Sequence, residues 1–199
     1  MLDQTVRRLI APASARAGRR LAASGVAPDL LTASGFVLGV AASAAAAVAL
    51  WPLALVLWLT SRVFDGLDGA VARVRGATLH GAFADIVADF TVYGLFVVGV
   101  AVAVPSARLA CVVLLCAYYV NGAAFLAFSS LAERRSLAVG DERSLRFLGG
   151  LTEGTETIVV HSLFCLLPGS AAVIAWGFSG AVAITAVGRV VSAVRLLRA

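Results

Sequence analysis

Four aspartates in two short segments of an otherwise apolar chain have the type and spacing of cation ligands. Asp65 and Asp68 are three residues apart, and Asp85 and Asp89 are four apart. If both segments are helical, each pair lies on one face of its helix. A carboxylate among apolar residues is costly unless something neutralises it. Two facing pairs would form a cluster of hard oxygen ligands, which Mg²⁺, Mn²⁺ and Ca²⁺ prefer.

The composition around these aspartates is that of an integral membrane protein. The 199 residues are 61% hydrophobic and have a mean hydropathy of +0.97, whereas soluble domains are about half apolar. No polar stretch is long enough for a separate soluble module, so residues 1–199 are expected to form one domain. The net charge of +5 does not indicate nucleic-acid binding, because the arginines stand at the ends of apolar segments.

Six apolar segments are long enough, or nearly so, for membrane spans of about 20 residues. Residues 3–23 precede them and carry apolar positions at helical spacing among arginines, which predicts an amphipathic helix on the membrane surface. The alternative is an unstructured basic tail, and Pro12 should kink or break a helix there. The expected fold is an all-α membrane protein, a six-transmembrane-helix bundle over residues 30–190 with an N-terminal interfacial amphipathic helix. The spans are placed at 30–49, 52–72, 82–103, 107–131, 152–168 and 170–190.

The arginines predict the orientation of these spans. Fifteen of the sixteen lie in the N-terminal segment, in the regions after spans two and four, or near the C-terminus, and only Arg108 falls on the other side. The positive-inside rule then places both termini in the cytoplasm of a bacterial cell. Arg62, Arg73 and Arg75 are counted here as belonging to the region between spans two and three. The aspartates are therefore expected at the cytoplasmic ends of these two spans.

The aspartates belong to a longer pattern within residues 65–89. It reads Asp65-x2-Asp68-Gly69-x2-Ala72-Arg73-x7-Gly81-x3-Asp85-x3-Asp89. This pattern resembles the signature of the CDP-alcohol phosphatidyltransferase family, with every fixed position filled. The seven-residue spacer after the arginine is one of the lengths common in that family. The six spans and the N-terminal helix extend the resemblance over nearly the whole chain.

The resemblance implies an enzyme of phospholipid biosynthesis. Such enzymes move a phosphatidyl or other substituted phosphate group from a CDP-alcohol, such as CDP-diacylglycerol, to a small alcohol and release CMP. Asp65, Asp68 and Asp85 would bind metal, and Asp89 would bind metal and act as the general base on the acceptor hydroxyl. Two divalent cations, Mg²⁺ or Mn²⁺, would balance the four carboxylates before the substrate arrives. The resemblance also implies a homodimer.

The remaining signature positions would contact the nucleotide. Gly69 and Ala72 are small where a nucleotide would press against the helix, and Gly81 allows close approach on the facing helix. Arg73 offers a planar fork of donors to a phosphate or to cytidine. The alternatives are that Gly69 and Gly81 serve helix packing alone and that Arg73 is an ordinary interface anchor.

Two regions are candidates for binding the acceptor alcohol. The loop between spans four and five contains Arg134, Arg135 and Arg143, which suit a phosphorylated acceptor, although a solvated loop of mixed charge is the alternative. Glu153 and Glu156 enter span five from the cytoplasm. Helix capping explains part of this pair, and a cationic acceptor or a role in closing the site would explain the rest. The identity of the acceptor stays open.

Two other classes of function compete with the enzyme. A divalent-cation transporter would also place carboxylates in a membrane, but it needs polar residues that continue across the bilayer, and residues 53–57 and 96–104 are almost wholly apolar. A catalytically silent lipid-binding membrane protein would have no need for all four aspartates.

Overall fold

The computed structural model describes residues 2–134 and 152–198, and all regular structure in these residues is helical. This confirms the predicted all-α class. Each predicted apolar segment overlaps one of the six helices that follow the N-terminal one. Short 3₁₀ turns at Pro105–Ala107 and Pro168–Ser170 join α4 to α5 and α6 to α7. The helices are α1 (Leu2–Ala23), α2 (Pro28–Ala47), α3 (Trp51–Arg75), α4 (Leu79–Ala103), α5 (Arg108–Arg134), α6 (Gly154–Leu166) and α7 (Ala171–Arg198).

Four segments of the described residues are long and apolar enough to cross a membrane, by length and composition. They are Pro28–Ala47, Leu79–Ala103, Pro105–Ala132 and Pro168–Leu197. The chain is therefore a multi-pass membrane protein. The other two predicted spans correspond to helices that do not meet the same criteria. α3 has 25 residues but carries charged side chains through its second half, and α6 has only 13 residues.

α1 continues through Pro12, so of the kink or break expected there the break does not occur. A proline inside a helix leaves the carbonyl four residues earlier without its donor. Here that carbonyl belongs to Arg8, and both Arg8 and Pro12 are exposed. The unpaired carbonyl therefore has access to solvent, and the helix tolerates the proline.

The turns after α1 and α3 are tied together next to the signature segment. Gly25 and Gly76 adopt φ values of 85° and 99°, in the left-handed region that glycine tolerates best. Arg75, the last residue of α3, donates hydrogen bonds of 3.3 and 2.9 Å to the carbonyls of Gly25 and Val26. This arginine, which the sequence assigned to orientation alone, fixes the start of α2 against the end of α3.

Small residues let α2 pack tightly between α3 and α4. Gly35, Gly39 and Ser43 are buried at successive turns of α2. A Cβ atom at Gly35 would lie 3.3 Å from the carbonyl oxygen of Ser61 on α3, and one at Gly39 would lie 2.5 Å from the side chain of Val92 on α4. This close packing brings together the two helices that carry the aspartates.

Large side chains fill the interior of the bundle on the side away from the C-terminal end of α3. Trp58, Phe96, Leu114, His161 and Phe164 are all less than 2% exposed. They come from α3, α4, α5 and α6, so this aromatic layer joins four helices. The aspartates lie above it, toward the end of α3.

The tight contact between α2 and α4 predicts a matched pair of glycine variants. A Cβ atom at Gly99 would overlap the carbonyl oxygen of Ser43, which is backbone and has little room to move, whereas Gly177 has open space around it. Gly99→Ala should lower the free energy of unfolding by about 1–3 kcal/mol through overpacking. Gly177→Ala should be neutral or slightly stabilising. Thermal unfolding of both purified proteins in detergent checks this, and equal midpoints would contradict the packing.

Candidate functional site

Three of the four aspartates form one compact cluster. Carboxylate oxygens of Asp65, Asp68 and Asp85 all lie within 4.8 Å of one another. Asp68 is buried, while Asp65 and Asp85 are half-buried, so the cluster opens at one side. Two ligands come from α3 and one from α4. Three hard oxygen donors at this separation fit a divalent cation such as Mg²⁺ or Mn²⁺.

A hydroxyl from α2 completes the surroundings of this cluster. Thr32 donates a hydrogen bond of 2.6 Å from its Oγ1 to Oδ2 of Asp68. The close approach of α2 makes this contact possible, and Ser61 reinforces it by donating a 2.7 Å hydrogen bond to the carbonyl of Gly35. The bond from Thr32 fixes the orientation of one carboxylate, which is the usual role of a partner outside the ligands themselves. This contact of Thr32 was not predicted from the sequence.

Asp89 lies beside this cluster and is paired with an arginine. Nη1 of Arg62 donates a 2.5 Å hydrogen bond to Oδ1 of Asp89 and lies 3.8 Å from Oδ2 of Asp65. The guanidinium packs against two aromatic rings, 4.9 Å from the ring centroid of Trp58 and 5.1 Å from that of Tyr93. The structure therefore divides the aspartates into a group of three and a fourth, Asp89, which is held by the guanidinium of Arg62.

The role of Arg62 in the site was not predicted from the sequence, because Arg62 was counted with the interface arginines. Arg62 lies thirteen residues before the end of α3, about 20 Å along the helix axis. That is too deep for an interface anchor. Its position four residues after Trp58 and three before Asp65 places all three on one helix face, and this spacing is the signal that was available.

The predicted nucleotide positions lie on α3 and α4, the two helices that carry the cluster. Gly69 and Ala72 are half-buried, and Arg73 is exposed. A Cβ atom at Gly69 would lie 3.5 Å from Nη1 of Arg73, so the arginine side chain extends back over the glycine. Gly81 lies on the facing helix, where its N–H donates a 3.0 Å hydrogen bond to Oγ1 of Thr78 and caps α4. Capping explains part of the need for a small residue at Gly81.

The predicted acceptor residues differ in whether the structure describes them and in the contacts that it gives them. Arg135 and Arg143 lie outside the described residues, and Arg134 ends α5. Glu156 takes part in a capping box at the start of α6, where its carboxylate accepts a 3.1 Å hydrogen bond from the backbone N–H of Glu153. The helix-capping alternative thus accounts for this contact of Glu156.

Glu153 instead belongs to a second buried polar group, built from α5, α6 and α7. It is 7% exposed, as is Arg189, and the two charges attract each other. Arg189 donates a 3.1 Å hydrogen bond to Oδ1 of Asn121. Thr152 donates a 3.0 Å hydrogen bond to Oγ1 of Thr185 in the same region. The five side chains come from α5, from α7 and from the two residues before α6, so no single sequence motif reveals the group.

Comparisons with known proteins give the family context. The family model described as CDP-alcohol phosphatidyltransferase matches residues 25–191. The inner membrane protein YnjF of Escherichia coli (strain K12) is 42% identical over 171 residues, which cover 84% of this chain and 83% of that protein.

Solved structures show the same fold. The chain is similar to Mycobacterium tuberculosis phosphatidylinositol phosphate synthase (PgsA1) with CDP-DAG bound, with a TM-score of 0.71 and 23% identity over 90% of this chain and 92% of that one. The same enzyme in complex with manganese and citrate gives a TM-score of 0.71 and 23% identity, over 90% of this chain and 88% of that one.

The hydrogen bond from Thr32 to Asp68 predicts a measurable effect on cation binding. Thr32→Val keeps the shape of the side chain and removes the donor, so the Kd for Mn²⁺ should rise about 10-fold, at the lower end of the range for such partners. Thr60→Val is the matched control, because its hydroxyl bonds only to the Val56 carbonyl of its own helix. Titration of purified protein with Mn²⁺, followed by electron paramagnetic resonance, checks both. Equal Kd values for the two variants would contradict the assignment.

Proposed function

The chain belongs to the CDP-alcohol phosphatidyltransferase family, and we propose that it transfers the substituted phosphate group of a CDP-alcohol to a small alcohol at the aspartate cluster. CDP-diacylglycerol is the proposed donor, and CMP is the product released. The observation that carries this proposal is the cluster of Asp65, Asp68 and Asp85, built from two helices of an apolar bundle. The other signature residues lie on the same two helices as this cluster, whose half-open side would admit a pyrophosphate.

Asp65, Asp68 and Asp85 are the proposed metal ligands, and Asp89 borders them. A bound divalent cation would neutralise carboxylate charge and polarise the donor pyrophosphate, so that CMP leaves more readily. Charge balance supports two cations. The four carboxylates and the buried Arg62 together carry −3, so two divalent ions would bring the centre to +1. A slightly positive centre favours an anionic pyrophosphate, whereas a single divalent ion would leave the centre with a net charge of −1.

Asp89 is the proposed general base. Its carboxylate would accept the proton of the acceptor hydroxyl as the hydroxyl oxygen attacks the lipid-bearing phosphorus. The bond from that phosphorus to the bridging oxygen then breaks, and CMP leaves with the electron pair. Asp89 suits this role because its carboxylate is 27% exposed beside the cluster, within reach of a bound alcohol.

The nucleotide is proposed to lie along the exposed end of α3. Gly69 and Ala72 leave room beside the cluster, and Arg73 has its charge free to meet a phosphate. Gly81 faces this space from the start of α4. Backbone close approach at glycine and a fork of donors at arginine are both suited to phosphate binding.

The acceptor is proposed to bind between the aspartates and the polar group on α5, α6 and α7. Glu153 and its charged partner Arg189 are buried there, which is costly unless the charges are used or paired. Glu156, Arg134, Arg135 and Arg143 remain proposed contributors to acceptor binding. A hydroxyl compound that carries a charged group suits these residues.

We also propose that α2 to α7 form six membrane spans within one domain, residues 1–199. The charged side chains of Arg62 and Asp68 on α3 are buried, while Val56 and Val63 on the same helix are exposed. α3 therefore presents apolar residues outward and charge inward, as a span in a bundle should. The arginine distribution supports an active site and termini on the cytoplasmic side. A homodimer is proposed from family resemblance.

The N-terminal helix α1 is proposed to lie at the membrane surface. Leu9 and Ile10 are exposed beside the exposed Arg16 and Arg19, a combination typical of interfacial helices. α1 packs on α3 and α6, and Gly18 allows this contact because a Cβ atom there would lie 2.7 Å from the carbonyl oxygen of Ala70. The helix is thereby fixed close to the signature segment.

An acceptor screen tests the proposed reaction. Purified protein with Mn²⁺ or Mg²⁺, CDP-diacylglycerol and three classes of alcohol (phosphorylated polyols, amino alcohols and neutral polyols) should release CMP with one class, and chelation of the metal should stop the release. Folded protein that binds Mn²⁺ but releases no CMP with any acceptor would overturn the proposal. Mn²⁺ flux into proteoliposomes would then support the transporter.

Replacement of the proposed base should affect turnover and spare folding. Asp89→Asn keeps the shape of the side chain but cannot accept the proton, so kcat should fall about 10²–10⁴-fold, the usual contribution of general base catalysis. Asp29→Asn is the control, because Asp29 is an exposed carboxylate at the start of α2, outside the cluster. CMP release under saturating donor measures both. Near wild-type turnover in Asp89→Asn would exclude Asp89 as the base.

A further inference from the structure

We propose that Arg62 is the residue that positions Asp89 for proton transfer, a role that rests on the proposed function. The guanidinium holds one oxygen of the carboxylate, Oδ1, and thereby fixes the orientation of the Asp89 carboxylate. Arg62 would then act through Asp89 and would make no contact with substrate. No position of the signature pattern corresponds to Arg62, which precedes its first aspartate by three residues.

The contacts of Arg62 hold its guanidinium in a single place. The side chain is 6% exposed, and its guanidinium packs against the rings of both Trp58 and Tyr93. Nη2 donates a 2.9 Å hydrogen bond to Oγ of Ser61, and Nη1 donates to Asp89 and, at 3.3 Å, to the Tyr93 hydroxyl. Planar stacking and a fork of donors are properties of arginine that lysine lacks. The fixed fork therefore determines where Asp89 points.

Stability alone does not explain this arrangement. A buried ion pair often contributes less than apolar residues of the same volume, because both charges lose their hydration. Arg62 also lies nearer the aromatic layer than the open end of the cluster, since it follows Trp58 by one helical turn. A cation held at this depth, 2.5 Å from Oδ1 of Asp89 and at the longer distance of 3.8 Å from Oδ2 of Asp65, indicates a role in positioning Asp89. A group held in a productive geometry needs such support from its neighbours.

The proposed role separates Asp89 from the metal ligands in a way that cation binding can measure. Arg62→Gln removes the positive charge and the fork, so it should not weaken Mn²⁺ binding, and loss of a nearby cation favours a divalent ion. Asp85→Asn removes a ligand and should abolish tight binding. The Mn²⁺ titration needs no acceptor, so it gives its result whether or not the reaction is found.

Kinetics of four variants complete the test. Arg62→Gln should lower kcat about 100-fold, a usual cost of misplacing a reacting group, and leave the KM for CDP-diacylglycerol within about threefold. Arg62→Lys restores the charge and should recover about 10-fold of the loss. The double variant Arg62→Gln/Asp89→Asn should be no slower than Asp89→Asn alone, because residues that act as a unit are non-additive. Arg195→Gln, at an exposed position on α7, should match the wild type.

Three results would overturn the positioning role. The first is turnover of Arg62→Gln within about threefold of wild type, because a positioning defect costs far more. The second is additive losses of turnover in the double variant. The third is loss of Mn²⁺ binding in Arg62→Gln like that in Asp85→Asn. Failure of the wild type to release CMP is distinct, because it overturns the proposed function. The Mn²⁺ titration then decides whether Arg62 is separate from the ligands, and unweakened binding in Arg62→Gln supports that separation.

Discussion

Negative charge enclosed in an apolar helical bundle is the constraint on which the structure depends. Four carboxylates from α3 and α4 meet at one end of the bundle, where each would be costly without compensation. The chain compensates in two ways. Arg62 supplies a permanent positive charge to Asp89, and the remaining three carboxylates are gathered closely enough to share a cation. The site is thus arranged around the charges it must neutralise.

The packing of α2 makes this arrangement possible. Glycines at positions 35 and 39 leave no side chain between α2 and its two neighbours, so α2 lies against both helices that carry aspartates. The same approach brings Thr32 to Asp68 and Ser61 to the Gly35 carbonyl. Ser61 in turn accepts a hydrogen bond from Arg62. Close helix packing and the placement of polar groups therefore come from the same few small residues.

The helices and the core of the site were predictable because they depend on local patterns. Spacings of three and four residues place Asp65 with Asp68 and Asp85 with Asp89 on helix faces, and the apolar segments predicted the helices that position them. Thr32 and Arg62 were not predicted, because their partners lie on other helices and at least 27 residues away in sequence. Counting arginines assigns every one of them to the interface, although burial makes Arg62 an interior residue.

Pro12 shows that a rule based on local sequence can also predict a break that the structure does not have. The local rule considers the lost hydrogen bond but not where the unpaired carbonyl faces. Arg8 and Pro12 are exposed, so the cost is small and α1 continues. For α6, the mean apolar character predicted a longer segment, but Pro168 begins a 3₁₀ turn soon after Leu166 and limits the helix to 13 residues.

The aromatic layer next to Arg62 distinguishes transfer chemistry from transport. An ion path would have to continue from the aspartates toward the opposite face. Instead, the ring of His161 lies 4.7 Å from that of Trp58 and is stacked 4.9 Å from that of Phe96. All three side chains are fully buried, and packed interiors leave no room for a hydrated ion. Within the described residues, these packed rings separate the aspartates from the opposite face of the bundle, which favours the proposed transfer reaction over transport.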